Sequence, residues 1–217
     1  MINVHYFKFS PFAENTYVLY DLQDKTKECI IIDPGCYEMH EKEALKDYIT
    51  KNGLKPVRLL NTHSHIDHVF GNKFVYDTYG LLPEMHKDEL PGLQAVPTYG
   101  AQMGLKVEPS PLPEKYLTEE DTIKFGNSEL SILFTPGHSI ASISFYCEKD
   151  QFVIGGDVLF QGGIGRTDLP GGSYPVLIQS IAEKFLTLGD TVIVYSGHGP
   201  ETTIGLERKT NPFLINF

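Results

Sequence analysis

The chain is short of several things, and each shortage closes off a class of protein. Its 217 residues contain no Trp and only three Cys. Cys29, Cys36 and Cys147 are odd in number, widely spaced and outside any CxxC pattern. That argues against a disulfide framework and for a reducing, cytoplasmic setting. Purely aliphatic runs reach only three residues, as at Ile30–Ile32, far below the ~20 residues of a bilayer-spanning helix. The opening MINVHYFKFSPF lacks the charged, apolar and small-residue segments of a signal peptide. Positive charge is also scarce: 18 Lys and Arg against 28 Asp and Glu give a net charge of −10. This balance argues against a nucleic-acid partner, which normally needs a basic patch. No repeat, low-complexity tract or long linker divides the chain, so the expected organisation is one domain over residues 1–217. The composition sets no oligomeric state.

What is present reads as a packed enzyme-like chain. Apolar residues make up 41%, with a further 20 Gly, which is ordinary for a globular protein. Strand-like runs occur at Ile2–Phe9, Thr16–Tyr20, Cys29–Ile32 and Val57–Leu60. A second group occupies Thr122–Phe125, Glu129–Phe134, Ser142–Tyr146, Phe152–Ile154 and Val192–Tyr195. Helical spacing marks Tyr37–Asn52, Val69–Tyr79, Tyr174–Leu188 and about Ile204–Lys209. Pro83 to Pro113 holds six prolines and is expected to be loop and helix fragments. Two groups of strands, each followed by helices, point to an α+β chain. The expected architecture is a four-layer αββα sandwich of two mixed sheets flanked by helices.

Chemistry concentrates in Thr62-His63-Ser64-His65-Ile66-Asp67-His68, between a strand and a helix. In an extended segment His63, His65 and Asp67 face one way and His68 another. One loop would then serve two neighbouring metal positions. His138, Asp157 and His198 follow three later strands, each after small residues, where sites in layered α/β folds gather. Imidazole and carboxylate without thiolate suit Zn, Fe or Mn. A single such residue is usually a turn or capping residue; the joint pattern is not. His5, His40 and His86 read as structural or solvated.

In this order HSHIDH, TPGHS, GGD and SGHGP resemble the metallo-β-lactamase superfamily. Within it they look most like its glyoxalase II-like (hydroxyacylglutathione hydrolase) branch. The segments IIDPG at 31–35, GRTD at 165–168 and the tail from Ser196 extend the resemblance over nearly the whole chain. The resemblance implies a first metal on His63, His65 and His138 and a second on Asp67, His68 and His198. Asp157 would bridge them. It further implies that a hydroxide shared by two divalent ions, zinc first among them, attacks a small-molecule thioester such as S-lactoylglutathione, with Asp67 orienting it. Asp33, Asp168 and Arg166 are the candidates for supporting the ligands.

A mononuclear-iron persulfide dioxygenase-like oxygenase is the alternative on the same scaffold, followed by hydrolases of other esters or lactones. Class B β-lactamases of the commonest type replace the residue at 157 with Cys, and flavodiiron proteins replace that at 65 with Glu; neither change is present. With 19 residues after His198, no separate helical substrate domain is expected at the C-terminus.

Overall fold

The computed structural model describes residues 1–215, which group into two compact units. One comprises Met1–Leu117 with Lys124–Glu129; the other comprises Thr118–Ile123 with the chain from Leu130 onward.

The first sheet has the order β1(Ile2–Phe9), β2(Glu14–Asp21), β3(Glu28–Ile32), β4(Lys55–Leu60), β5(Pro83–Met85), β6(Lys115–Tyr116). β1 to β3 run antiparallel, and β3 to β6 run parallel. The crossover between β3 and β4 is α1(Met39–Lys51), the length of connection that parallel pairing demands. Its Leu45 and Ile49 bury against Val18, Cys29, Ile31 and Leu59. Asn72–Tyr79 forms a further helix, α3, ended by Gly80 at φ 72°, where a side chain would be strained.

Two expectations fail here for identifiable reasons. The ligand loop does not stay extended, because His65 is the N-cap of a one-turn helix, α2(Ile66–Val69). Asp67 and His68 therefore sit on helical backbone, and period-two alternation stops at His65. The proline-rich stretch also contains a full helix, α4(Leu90–Gln102), preceded by a 3₁₀ turn at Lys87–Glu89. Pro91 falls in the first turn, where its missing N–H has no partner to lose. Pro97 is interior and breaks one helical bond. Leu93 and Val96 bury against Ile66, Val69 and Phe70, and that tertiary packing outweighs the local penalty.

The second sheet has the order β14(Thr202–Thr203), β13(Ile193–Ser196), β10(Phe152–Gly156), β9(Ile143–Cys147), β8(Ser128–Phe134), β7(Thr122–Phe125). β10 pairs parallel with β13 and antiparallel with β9. β8 is antiparallel to β9, so β8, β10 and β13 point the same way. A short ribbon of β11(Leu159–Phe160) and β12(Gly163–Ile164) follows β10. The predicted helix over 174–188 is α5(Tyr174–Ser180) continued by a π turn, Ile181–Phe185, closed by Leu186 N–H to Ile181 O at 2.8 Å. α6(Ile204–Thr210) ends the regular structure, capped by the Thr203 hydroxyl accepting from Leu206 N–H. Both mixed sheets and their helices are thus present as expected.

Phe185 is fully buried among Val153, Leu177, Ile181 and Val194, with ring atoms 3.3 Å from where a Gly155 Cβ would lie. Phe185→Ala is expected to cost ~3–5 kcal/mol, measurable as a lowered urea midpoint with an unchanged slope.

Candidate metal centre

Strand register explains why the donors meet. In the first sheet Ile32 pairs with Leu60 across parallel β3 and β4, so the residues that follow, Asp33 and Asn61-Thr62, leave the sheet side by side. Asp33 turns sharply at φ 49°, a region that Asp tolerates better than most residues. Its N–H bonds Leu60 O at 2.9 Å. Its carboxylate then takes three buried bonds: Oδ1 from Thr62 N–H at 2.7 Å, Oδ2 from the Thr62 hydroxyl at 2.6 Å, and Oδ2 from His68 Nδ1 at 3.0 Å.

This network fixes two tautomers. Thr62 has one hydroxyl proton and gives it to Asp33, so the 3.0 Å contact between Thr62 Oγ1 and His63 Nδ1 must be donated by the ring. His68 likewise donates from Nδ1. Both imidazoles then keep their lone pair on Nε2, the form that ligates metal. The His63 ring centroid lies 4.1 Å from that of His68 and 4.6 Å from that of His65. His68 Nε2 faces Asp67 Oδ2 at 3.8 Å. Asn61 Nδ2 donates to His68 O at 3.1 Å and exchanges bonds with Asn72, holding α2 against the end of β4. Donor atoms of Asp33, His63 and His68 lie within 4.8 Å of one another, but Asp33 occupies the Nδ1 side and acts as the orienting partner.

In the second sheet the same logic recurs. Gly156 pairs with Ser196 across parallel β10 and β13, which sets Asp157 beside Gly197-His198. His138 follows β8 at the same edge. Gly137 has φ 126° and a Cβ there would lie 2.2 Å from Leu177 N, so α5 can sit against the TPGHS loop only with glycine at that position. The loop is held by Ser173 N–H to Gly137 O at 2.7 Å and the Ser180 hydroxyl to Pro136 O at 2.7 Å. His138 Nδ1 meets Arg166 O at 2.8 Å. A carbonyl only accepts, so Nδ1 carries the proton. Nε2 faces Asp157 Oδ2 at 3.4 Å, and His198 Nε2 approaches the same oxygen at 3.5 Å. Gly165 permits this, since a Cβ there would lie 1.9 Å from Asp157 O and 3.0 Å from His138 Nδ1.

The supporting residues divide. Asp33 bonds a candidate ligand directly and another through Thr62. Arg166 contributes its main-chain carbonyl, while its guanidinium forms a two-bond pair with Asp168 at 2.7 and 2.8 Å. Both of those side chains are well exposed, and the pairing lowers the Asp168 carboxyl to about 2. Cys36, three residues past Asp33, belongs to the core: it is fully buried, and burial pushes its thiol up to about 12.

Two acids that the sequence reading passed over are built into the first donor group. Glu14 is fully buried and accepts from the Thr16 hydroxyl at 2.9 Å; burial raises its carboxyl well above the usual range, with Asp33 and Asp67 adding to the rise. Gly35 makes room for it, because a Cβ there would overlap Glu14 Oε2 and lie 2.6 Å from Asp67 O. Glu89 accepts from both Ser64 N–H and the Ser64 hydroxyl.

The donor set fits a divalent cation. His138, with its proton held at Nδ1, turns an Nε2 lone pair toward a carboxylate oxygen, and acceptor against acceptor is repulsive unless a cation or an added proton lies between. Imidazole Nε2 and carboxylate oxygen on sheet-edge loops are the donors of a divalent-metal site.

The comparisons give the family. The model of the metallo-β-lactamase superfamily matches residues 10–198, and the chain belongs to that superfamily, whose members bind divalent metals. It is 41% identical over 208 residues to the probable metallo-hydrolase YqgX of Bacillus subtilis, covering 95% of each chain. It is 36% identical over 216 residues to the hydroxyacylglutathione hydrolase GloC of Haemophilus influenzae, covering 98% of each. Among solved structures it is similar to the B3 metallo-β-lactamase BLEG-1, with TM-score 0.87, 38% identity and 99% of both chains covered. TTHA1623 in a di-iron-bound form is similar too, with TM-score 0.85, 33% identity, and 97% of this chain and 100% of that one covered. No helix among the described residues is long and apolar enough to cross a membrane.

Proposed function

We propose that this chain is a dinuclear metal-dependent thioesterase acting on S-2-hydroxyacyl thiols, with S-lactoylglutathione as the reference substrate. The observation that carries the metal part is the shared proton placement. His63, His68 and His138 each commit Nδ1 to the protein, at Thr62, Asp33 and the Arg166 carbonyl, and keep Nε2 for a cation. In this reading His63, His65 and His138 hold one ion, Asp67, His68 and His198 hold the other, and Asp157 serves both. Zinc is the first candidate, with iron and manganese also suited to the donors; the di-iron form of TTHA1623 supports iron.

Bound divalent ions supply Lewis acidity, which lowers the pKa of water toward about 7 and polarises a carbonyl. The chain's own residues do the rest. Asp67 accepts a hydrogen bond from the attacking water and so orients it toward the acyl carbon. Asp33 keeps His63 and His68 in the tautomer that carries its proton on Nδ1, which leaves Nε2 as the ligating nitrogen. A thiolate leaving group, with a parent thiol pKa near 8.5, departs without a dedicated acid, and no side chain here is needed to protonate it. The relative GloC, named a hydroxyacylglutathione hydrolase, supports the thioester. The buried free thiols Cys29, Cys36 and Cys147 support a reducing, cytoplasmic setting.

The test is a panel of purified-chain assays on S-lactoylglutathione, a cephalosporin and glutathione persulfide. The cephalosporin is included because BLEG-1, 38% identical, is described as a β-lactamase. Thioester loss with the highest kcat/KM of the three is expected. Oxygen consumption with the persulfide, or β-lactam opening without thioester loss, would refute the proposal.

A further inference from the structure

Glu89 is a buried acid, 2% exposed, that the proposed hydrolysis does not use. It lies at the end of the 3₁₀ turn following β5. β5 is the parallel neighbour of β4, with Leu60 paired to Glu84, so this turn emerges at the sheet edge that carries the HSHIDH loop. Its Oε2 accepts Ser64 N–H at 2.9 Å and the Ser64 hydroxyl at 2.6 Å. Ser64 is the residue between His63 and His65. The approach is specific: a Cβ on Gly92 would lie 2.3 Å from Ser64 Oγ, so α4 reaches the loop only with glycine at that position. Leu93 and Val96 of the same helix pack on Ile66 and Val69, which ties α4 to the loop on both sides of His65.

We propose that Glu89 is a positioning residue for the metal centre. By holding both donors of Ser64, its carboxylate fixes the backbone from which His63 and His65 project and sets how tightly metal is held there. This rests on the reading of His63 and His65 as ligands. Asp33 orients the rings of His63 and His68; Glu89 acts on the main chain between His63 and His65. A carboxylate bonded to a buried N–H and a buried hydroxyl is a stronger partner than a neutral acceptor.

The test is chelator competition on the zinc-loaded, full-length chain, with melting of each metal-free variant followed alongside. Glu89→Ala is expected to weaken zinc binding ~10–100-fold, the usual cost of removing an outer partner of a ligand. Glu89→Gln is expected to stay within about threefold, because both bonds go to one oxygen and an amide oxygen can accept both. A purely structural role would lower the melting temperature and leave the affinity of the folded protein alone. Unchanged affinity in folded Glu89→Ala would overturn the inference. Should that variant fail to fold, Ser64→Ala decides: about threefold or more weaker supports the inference, and no change overturns it. His65→Ala is the control for the ligand reading. Full zinc affinity in His65→Ala would overturn that reading and this inference together. Loss there with none in Glu89→Ala would overturn this inference alone.

Discussion

Asp157→Ala is expected to lower kcat/KM for thioester hydrolysis by about 10³ or more and to reduce bound metal. The side chain presents Oδ2 to two histidines at 3.4 and 3.5 Å, and in the proposed centre it is the one residue that serves both ions. Metal polarisation of a carbonyl contributes several kcal/mol to such a reaction, and each 1.36 kcal/mol is tenfold in rate; losing ~4 kcal/mol gives the stated figure. Asp157 lies on a loop set by the pairing of Gly156 with Ser196, so the substitution leaves the strand ladder intact. The checks are steady-state kinetics and metal analysis of the same preparation. Near-normal turnover would mean that this carboxylate serves no ion.

Asp33→Ala is expected to cost ~3–5 kcal/mol of stability, the range for stripping one partner from a buried charged network. Thr62 N–H, the Thr62 hydroxyl and His68 Nδ1 all lose their acceptor where water does not reach, and each buried orphan costs ~1–3 kcal/mol. Against a typical total of 5–15 kcal/mol, the loss is large. Asp33→Asn keeps the shape, tolerates φ 49° and retains an amide oxygen, so a smaller loss of ~1–2 kcal/mol is expected. Urea unfolding of the metal-free proteins separates the two variants. Metal affinity should fall with both, because the tautomers of His63 and His68 are no longer enforced.

The donors were legible because ligand chemistry leaves dense local marks. HSHIDH lies between a strand and a helix, and TPGH, GGD and SGH each place small residues before a donor at the end of a strand. Asp33 was legible as the acid within IIDPG, directly after a strand. What stayed hidden depended on distance or on competition between forces. Glu89 is 25 residues from Ser64, and nothing local tells a buried acid before a helix from an exposed one. Glu14 opens β2 as a polar residue and is buried only because Gly35 leaves room for it. The turn into α2 after His65 and the survival of α4 across Pro97 were missed because both are decided by packing of Ile66, Val69, Leu93 and Val96. Arg166 is a supporting candidate whose main-chain carbonyl is what meets His138, and main-chain contacts carry no residue signature.

The proposal that the two donor groups form one two-metal centre is testable without any substrate. The full-length chain would be reconstituted with a paramagnetic divalent ion such as manganese, its metal counted per chain, and its spin state read by electron paramagnetic resonance. Two ions per chain with a spin-coupled signal, collapsing to the spectrum of isolated ions in Asp157→Ala, is the expected result. One ion per chain, or two that are magnetically independent in the unaltered protein, would contradict it.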